Sequence, residues 1–183
     1  MSSRLFGVDT AANLGSLSWT YAVNGTVVGT PQISADGNFV AIAYNTEILG
    51  LFTVEETGFI LILDREGNRV VQTPGEPFTT FGPVSLGQQD GKTTAFWGES
   101  SHGGYGPSGR IFRMELQSPY AVVAEHFLDS TITIPVTVAP DGSGMWTGGK
   151  EASIHYWSLQ PSQQGRRWKK QLPMSRRNVT YRK

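Results

Sequence analysis

The chain contains no cysteine, and that absence removes whole classes of chemistry at once. A disulfide scaffold, cysteine-ligated zinc, an iron–sulfur centre and thiol catalysis all need the residue. Charge is also scarce, at 16% of 183 residues, and the formal net charge is zero. Apolar runs such as Phe59-Ile60-Leu61-Ile62-Leu63 are short, against the roughly 20 residues that span a bilayer. Met1-Ser2-Ser3-Arg4 opens no long apolar stretch, so neither a signal peptide nor a membrane span is expected. These absences leave the compartment open. What is present is globular composition: 38% hydrophobic, 11% aromatic, 22 glycines and 10 prolines.

The zero charge conceals a division. Residues 1–165 hold 7 basic and 15 acidic side chains, a net −8, and residues 166–183 hold 8 basic side chains and no acid. The basic group begins with Arg166, Arg167, Lys169 and Lys170 around Trp168. Such an asymmetry points to an anionic partner for this end, or to a strand whose tryptophan packs while its cations stay solvated.

An internal repeat organises the remainder. Pro31, Pro83 and Pro135 stand 52 residues apart, each in a strand-like segment of small β-type residues. An Asp-Gly follows each: Asp36-Gly37, Asp90-Gly91 and Asp141-Gly142. Twelve residues before each proline stand Trp19, Val71 and Val123. Each unit reads as four short strands separated by turn clusters. In one unit they fall at about 30–34, 39–44, 58–63 and 69–73. The next continues with 94–99, 109–116 and 121–127, and the last with 144–148, 152–159 and 166–171. Residues 4–9 and 16–23 read as the third and fourth strands of a first, partial unit. No segment carries a helical apolar stripe. Phe59 to Leu63 is apolar at every position and Val40-Ala41-Ile42-Ala43 is small and apolar on both faces. Strands of that kind need cover on both sides, as sheets stacked around an axis provide.

The expected class is therefore all-β: a partial β-propeller of about three to four four-stranded antiparallel blades with a 52-residue period. The blades are expected at 4–23 (partial), 26–75, 77–130 and 131–171, with a basic tail at 172–183. The units resemble the pyrroloquinoline-quinone (PQQ)-like repeat of quinoprotein alcohol dehydrogenase-like propellers. Gly15-Ser16-Leu17-Ser18-Trp19 matches the Gly-x-x-x-Trp that closes a blade, and Thr30-Pro31-Gln32-Ile33-Ser34-Ala35-Asp36-Gly37 matches the strand that opens the next. Asp9 lies two residues too far upstream for the motif's aspartate, and Val70-Val71 replaces the tryptophan in the following unit. Gly165-Arg166-Arg167-Trp168 restores it one residue shorter. The last unit also resembles a WD40 blade through Met145-Trp146-Thr147-Gly148 and Ile154-His155-Tyr156-Trp157-Ser158, with Ser158 where that family has aspartate. The resemblance implies a blade-packing set of Gly15, Trp19, Pro31, Pro83, Pro135, Trp157 and Trp168. An incomplete ring leaves sheet faces open, so it also implies the remaining blades of the same propeller as partners, or self-association. A quinoprotein enzyme of this type would hold PQQ and calcium near its axis, but no residue here maps onto such a site.

Other candidates weaken on inspection. Gly104-Tyr105-Gly106-Pro107-Ser108-Gly109 has dinucleotide-loop spacing, but a strand-like segment follows it where a helix is required. His102, His126 and His155 have no metal-ligand spacing. Glu55-Glu56 and Asp64/Glu66 read as solvated turn acids, and no Gly-x-Ser-x-Gly elbow occurs. Asn24-Gly25-Thr26 and Asn178-Val179-Thr180 are glycosylation sequons that matter only on a secretory route. With a visible repeat and no catalytic constellation, the expected function is a non-catalytic module that binds proteins, without cofactor or metal. A PQQ-dependent oxidoreductase is the alternative.

Overall fold

Turn clusters every ten residues or so, with β-rich segments between them, give a chain built of strands. The computed structural model describes residues 2–9, 16–49, 54–75, 79–101, 109–128, 136–139, 141–149, 153–159 and 165–171. Their elements, in order, are β1 (Ser3–Asp9), β2 (Ser16–Val23), β3 (Thr26–Ile33), β4 (Phe39–Leu49), β5 (Val54–Asp64), β6 (Arg69–Pro74) and β7 (Thr79–Phe81). They continue with β8 (Ser85–Gln89), β9 (Lys92–Ser101), β10 (Gly109–Glu115), β11 (Val122–Leu128), β12 (Thr137–Val138), β13 (Gly144–Gly149), β14 (Ser153–Ser158) and β15 (Gly165–Gln171). Among the described residues no helix is long and apolar enough to cross a membrane.

Sequence neighbours pair as antiparallel neighbours. β1 pairs β2; β3-β4-β5-β6 and β8-β9-β10-β11 are consecutive runs; β12-β13-β14-β15 is a third. The two middle runs are not separate sheets, as the repeat suggests. β7 joins them, parallel to β5 at Thr57–Thr79 and antiparallel to β9 from Thr79–Ser101 to Phe81–Glu99, which makes one nine-stranded sheet. The join works because β4, β5 and β9 run beyond the apolar segments that mark them in the sequence. Glu55 and Glu56, read from sequence as turn residues, lie in the extension of β5, and Glu56 is directly opposite Glu47. β-branched neighbours such as Thr46, Thr57 and Val54 favour extended backbone despite the acids between them.

The turns explain why the strands end where they do. Asp36 Oδ1 accepts hydrogen bonds from the Ser34 hydroxyl and the Asn38 amide. Asp64 Oδ1 accepts from the Glu66 and Asn68 amides, and Asp141 Oδ1 from the Ser143 amide and hydroxyl. Gly37, Gly67 and Gly142 take the positive φ each turn needs, at 71°, 83° and 69°. The donors hold all three carboxyls below the ordinary 3.8: chiefly Ser34 for Asp36, the Asn68 side chain for Asp64 and Ser143 for Asp141.

Three cores lie between sheet layers. Ala41, Ala43, Ile60 and Ile62 on one face of β4–β5 meet Phe81, Val84, Ala95, Trp97 and Met114. Ile42, Tyr44, Leu61 and Leu63 on the opposite face meet Leu5 and Val23 of the β1–β2 pair. Phe96 and Ile111 on the far face of β9–β10 meet Val136, Met145, Trp157 and Leu159. Ile60 to Leu63 are each 0% exposed, so β5 is buried on both faces. Burial also raises the pKa of Tyr44, whose ring stacks on Phe59 and whose oxygen accepts from Gln72 Nε2 at 2.7 Å.

Candidate interaction surface

Trp19 joins two layers. It stands opposite Gly7 in β1, and its indole lies so close to Gly7 and Gly67 that a Cβ there would come within 2.3 and 2.5 Å of it. Its Nε1 donates to the Arg65 carbonyl at 3.1 Å, in the β5–β6 turn. The β1–β2 pair is thus fixed to the turn of the neighbouring layer through one side chain. Register gives Val71, Val123 and Trp168 the same place: each lies opposite the residue two before the end of the preceding strand, namely Ile62, Arg113 and Tyr156.

Pro31 is exposed, within an irregularity of β3 between Val28 and Gln32. Pro83 follows β7, and its ring sits 2.7 Å from where a Cβ would project at Gly29, whose φ is +76°. Trp157 is 3% exposed and belongs to the core between β9–β10 and the last sheet. In β15, Arg166 lies opposite Trp157, Trp168 opposite Tyr156, Lys169 opposite His155 and Lys170 opposite Ile154. The register shift leaves Arg167 as the extra residue, and Lys170 is exposed. Gly15, Pro135, His102, residues 104–108 and the segment 172–183 lie outside the described residues. Asn24 of the first sequon is exposed in the β2–β3 turn; Asn178 of the second is outside the described residues. His155 is 2% exposed and stacks on Trp157.

Several linking groups carry no sequence signal. Asn45 clamps the β7 backbone: Phe81 N donates to its Oδ1 at 3.1 Å, and its Nδ2 donates to the Phe81 carbonyl at 3.5 Å. Glu99, 2% exposed, accepts from Arg110 Nε at 2.5 Å, and that guanidinium lies over Phe112. Buried Gln89 donates to the Leu159 carbonyl at 3.2 Å and accepts from Arg113 Nη1 at 3.0 Å, tying β8 and β10 to the last sheet. None of these long-range pairs could be read from local spacing.

Three clefts among the described residues are lined by both polar and apolar groups. One of about 280 Å³ is lined by Asn24, Thr26, Asn45, Thr46, Glu47 and Phe59. A second of about 280 Å³ opens where β3, β8 and β12 converge, beside Ile33, Leu86, Gln88 and Val138. A third of about 360 Å³ is bounded by the Lys92–Glu115 pair, 2.8 Å apart, with Arg113 and Pro119. The Lys92 hydrogen bond holds the Glu115 carboxyl below its usual range. Among the described residues no three His, Asp or Glu stand close enough to hold a metal ion. Exposed apolar surface is more pronounced. Phe6, Val8 and Leu17 on β1–β2 are 60%, 51% and 57% exposed, and Ile33 is 68% exposed.

No family model matches the chain, and no curated protein does so. Solved structures do. BamB from Moraxella catarrhalis, a β-propeller, aligns at a TM-score of 0.54 and 14% identity over 94% of this chain and 50% of its own. An oligogalacturonate lyase in complex with manganese aligns at 0.44 and 10% identity, over 89% and 58%. Sqt1 from Chaetomium thermophilum aligns at 0.33 and 14% identity, over 74% and 44%. This chain spans about half the length of these proteins. The BamB alignment and the strand topology together give the chain an all-β, β-propeller-like fold.

Proposed function

We propose that this chain is a propeller module that binds proteins and carries out no chemistry of its own, without PQQ, calcium or another cofactor. In this reading β3–β6, β8–β11 and β12–β15 are three four-stranded blades with a period near 52 residues, and β1–β2 is the outer half of another. The observation that carries the proposal is the exposed Phe6, Val8 and Leu17 on a sheet whose other face is a built core. Apolar side chains grouped on one open sheet face mark an interaction surface. The BamB-like fold supports a module that works in complexes.

Photo-crosslinking from position 6, with exposed Asp36 as the control position, tests it in cells of the source organism. Discrete crosslinked proteins are expected from position 6 and none from position 36. Equal crosslinking from both would overturn the reading. Titration with PQQ and calcium should give no saturable change in tryptophan fluorescence; saturable binding with alcohol-dependent dye reduction would establish the oxidoreductase instead.

A further inference from the structure

Residues 1–165 carry a net −8 and hold only seven cations, yet two of the seven, Lys92 and Arg113, line one cleft of about 360 Å³. Register brings its walls together. Lys92 opens β9 opposite Gln89, Glu115 closes β10 opposite Thr94, and Arg113 lies opposite Val123 of β11. The turn after β10, closed by the Tyr120 amide donating to the Gln117 carbonyl at 2.8 Å, sets Ser118 and Pro119 beside them. Both cations are held in place. Arg113 Nη1 donates to Gln89 Oε1, and Gln89 is anchored in turn on the Leu159 carbonyl. Lys92 Nζ donates to Glu115 Oε2 at 2.8 Å. That bond uses one of the three hydrogens of an ammonium, and the Lys92 side chain is 42% exposed, so it can reach a second acceptor. The Lys92 hydrogen bond first, and then the charges of Lys92 and Arg113, hold the Glu115 carboxyl low, so the fields of both cations meet in the cleft. Two cations against the single acid Glu115 leave the lining positive. The rest of the wall includes apolar Pro119, Ala121 and Val123, and Val123 is 43% exposed.

We propose that this cleft binds a partner protein through one carboxylate side chain flanked by apolar residues. The carboxylate accepts from Lys92 Nζ within the field of Arg113, and its apolar neighbours lie on Pro119 and Val123. The proposal rests on the protein-binding reading above and names the partner's chemistry at a second surface. Charge decides against a dianion such as phosphate. Glu115 and the acidic body repel a second negative charge, whereas a single charge matches the excess cation of the lining. The mixed wall decides against a bare small anion, which would leave Pro119 and Val123 uncovered.

The probes are two capped pentapeptides, valine–glutamate–valine between glycines and its glutamine counterpart, titrated at low salt into the isotope-labelled full chain. Saturable amide shifts at Lys92, Arg113 and Val123 are expected with the glutamate peptide, and binding about fivefold weaker or more with the glutamine one. Lys92→Met should weaken glutamate-peptide binding by a similar factor. Glu115→Gln removes the competing acceptor and should tighten it about threefold, which a pair serving stability alone would not do. Both side chains are 42% exposed, and circular dichroism of both variants should match the parent. Absence of saturable shifts at these residues overturns the proposal. So do equal binding of the two peptides, and an affinity that neither substitution changes. Inorganic phosphate binding more tightly than the glutamate peptide overturns it in favour of a dianion, and acetate binding as tightly overturns it in favour of a small carboxylate. Peptide failure with persistent position-6 crosslinks removes this cleft alone; loss of those crosslinks removes the protein-binding reading itself.

Discussion

β5 and β1 both carry apolar residues on both faces, yet their fates differ. Ile60, Leu61, Ile62 and Leu63 of β5 are 0% exposed, because the β1–β2 pair covers one face and the β7–β10 region the other. In β1, Leu5 is buried at 7%, while Phe6 and Val8 are more than half exposed. Composition alone does not separate the two. The difference is whether a second layer stands on the other side, and it shows that a strand apolar on both faces requires two covered faces without itself providing them.

The comparison can be broken most strongly at its covered side. Ile62→Ala should cost about 2–5 kcal/mol, read from urea unfolding, whereas Val8→Ala should stay within about 0.5 kcal/mol. Equal costs would mean that the open face of β1 is covered in solution. The seam between the middle layers comes next. Asn45→Ala leaves the buried Phe81 amide without its acceptor, and a loss of about 1–3 kcal/mol is expected. Its exchange signature should be early opening of Thr79–Phe81. The bond between β1–β2 and its neighbour is weaker. Gly67→Ala sets a Cβ against the Trp19 indole at positive φ, which should cost about 1–2 kcal/mol. Faster exchange in Ser16–Val23, with β9 and β10 unchanged, would locate the damage at that contact.

Two smaller effects sharpen the picture of the extensions and turns. Glu47 lies directly opposite Glu56, so Glu47→Lys should stabilise by about 0.2–1 kcal/mol, and added salt should shrink the gain. The turn carboxylates give a pH signature. Asp36, Asp64 and Asp141 have folded pKa values below 3.8. Their stabilisation is therefore complete above the unfolded value and is lost as pH falls through the folded ones. Thermal midpoints from their contribution should be level above about pH 5 and decline below about pH 4. Asp64→Asn should flatten part of that decline.

The strand order was legible from sequence because each strand is a local event: a β-rich segment stopped by Asp, Asn and Gly in turn positions. Residues 39–44, 58–63 and 69–73 all lie in strands, and β2 covers 16–23 as the turn signals imply. The extensions of β4 and β5 were not legible, since Glu55 and Glu56 look like turn acids until a partner strand is placed beside them. β7 was not legible either, because three residues carry no pattern and their pairing depends on strands 20 residues away in either direction. On the surface, Trp19 stood out through its spacing. Asn45, Gln89 and the Glu99–Arg110 pair did not, because their partners are set by the stacking of layers.

By itself the sequence determined that the chain is all-β, in repeated antiparallel runs with glycine turns. Hydrophobic alternation and turn chemistry act over a few residues, so they can be read along the chain. The tertiary structure alone decided which runs join through β7 and which apolar residues are covered. It also decided that Leu5 is buried while Phe6 and Val8 of the same strand stay more than half exposed. Those outcomes depend on which layer stands against which, and that is a property of contacts far apart in sequence.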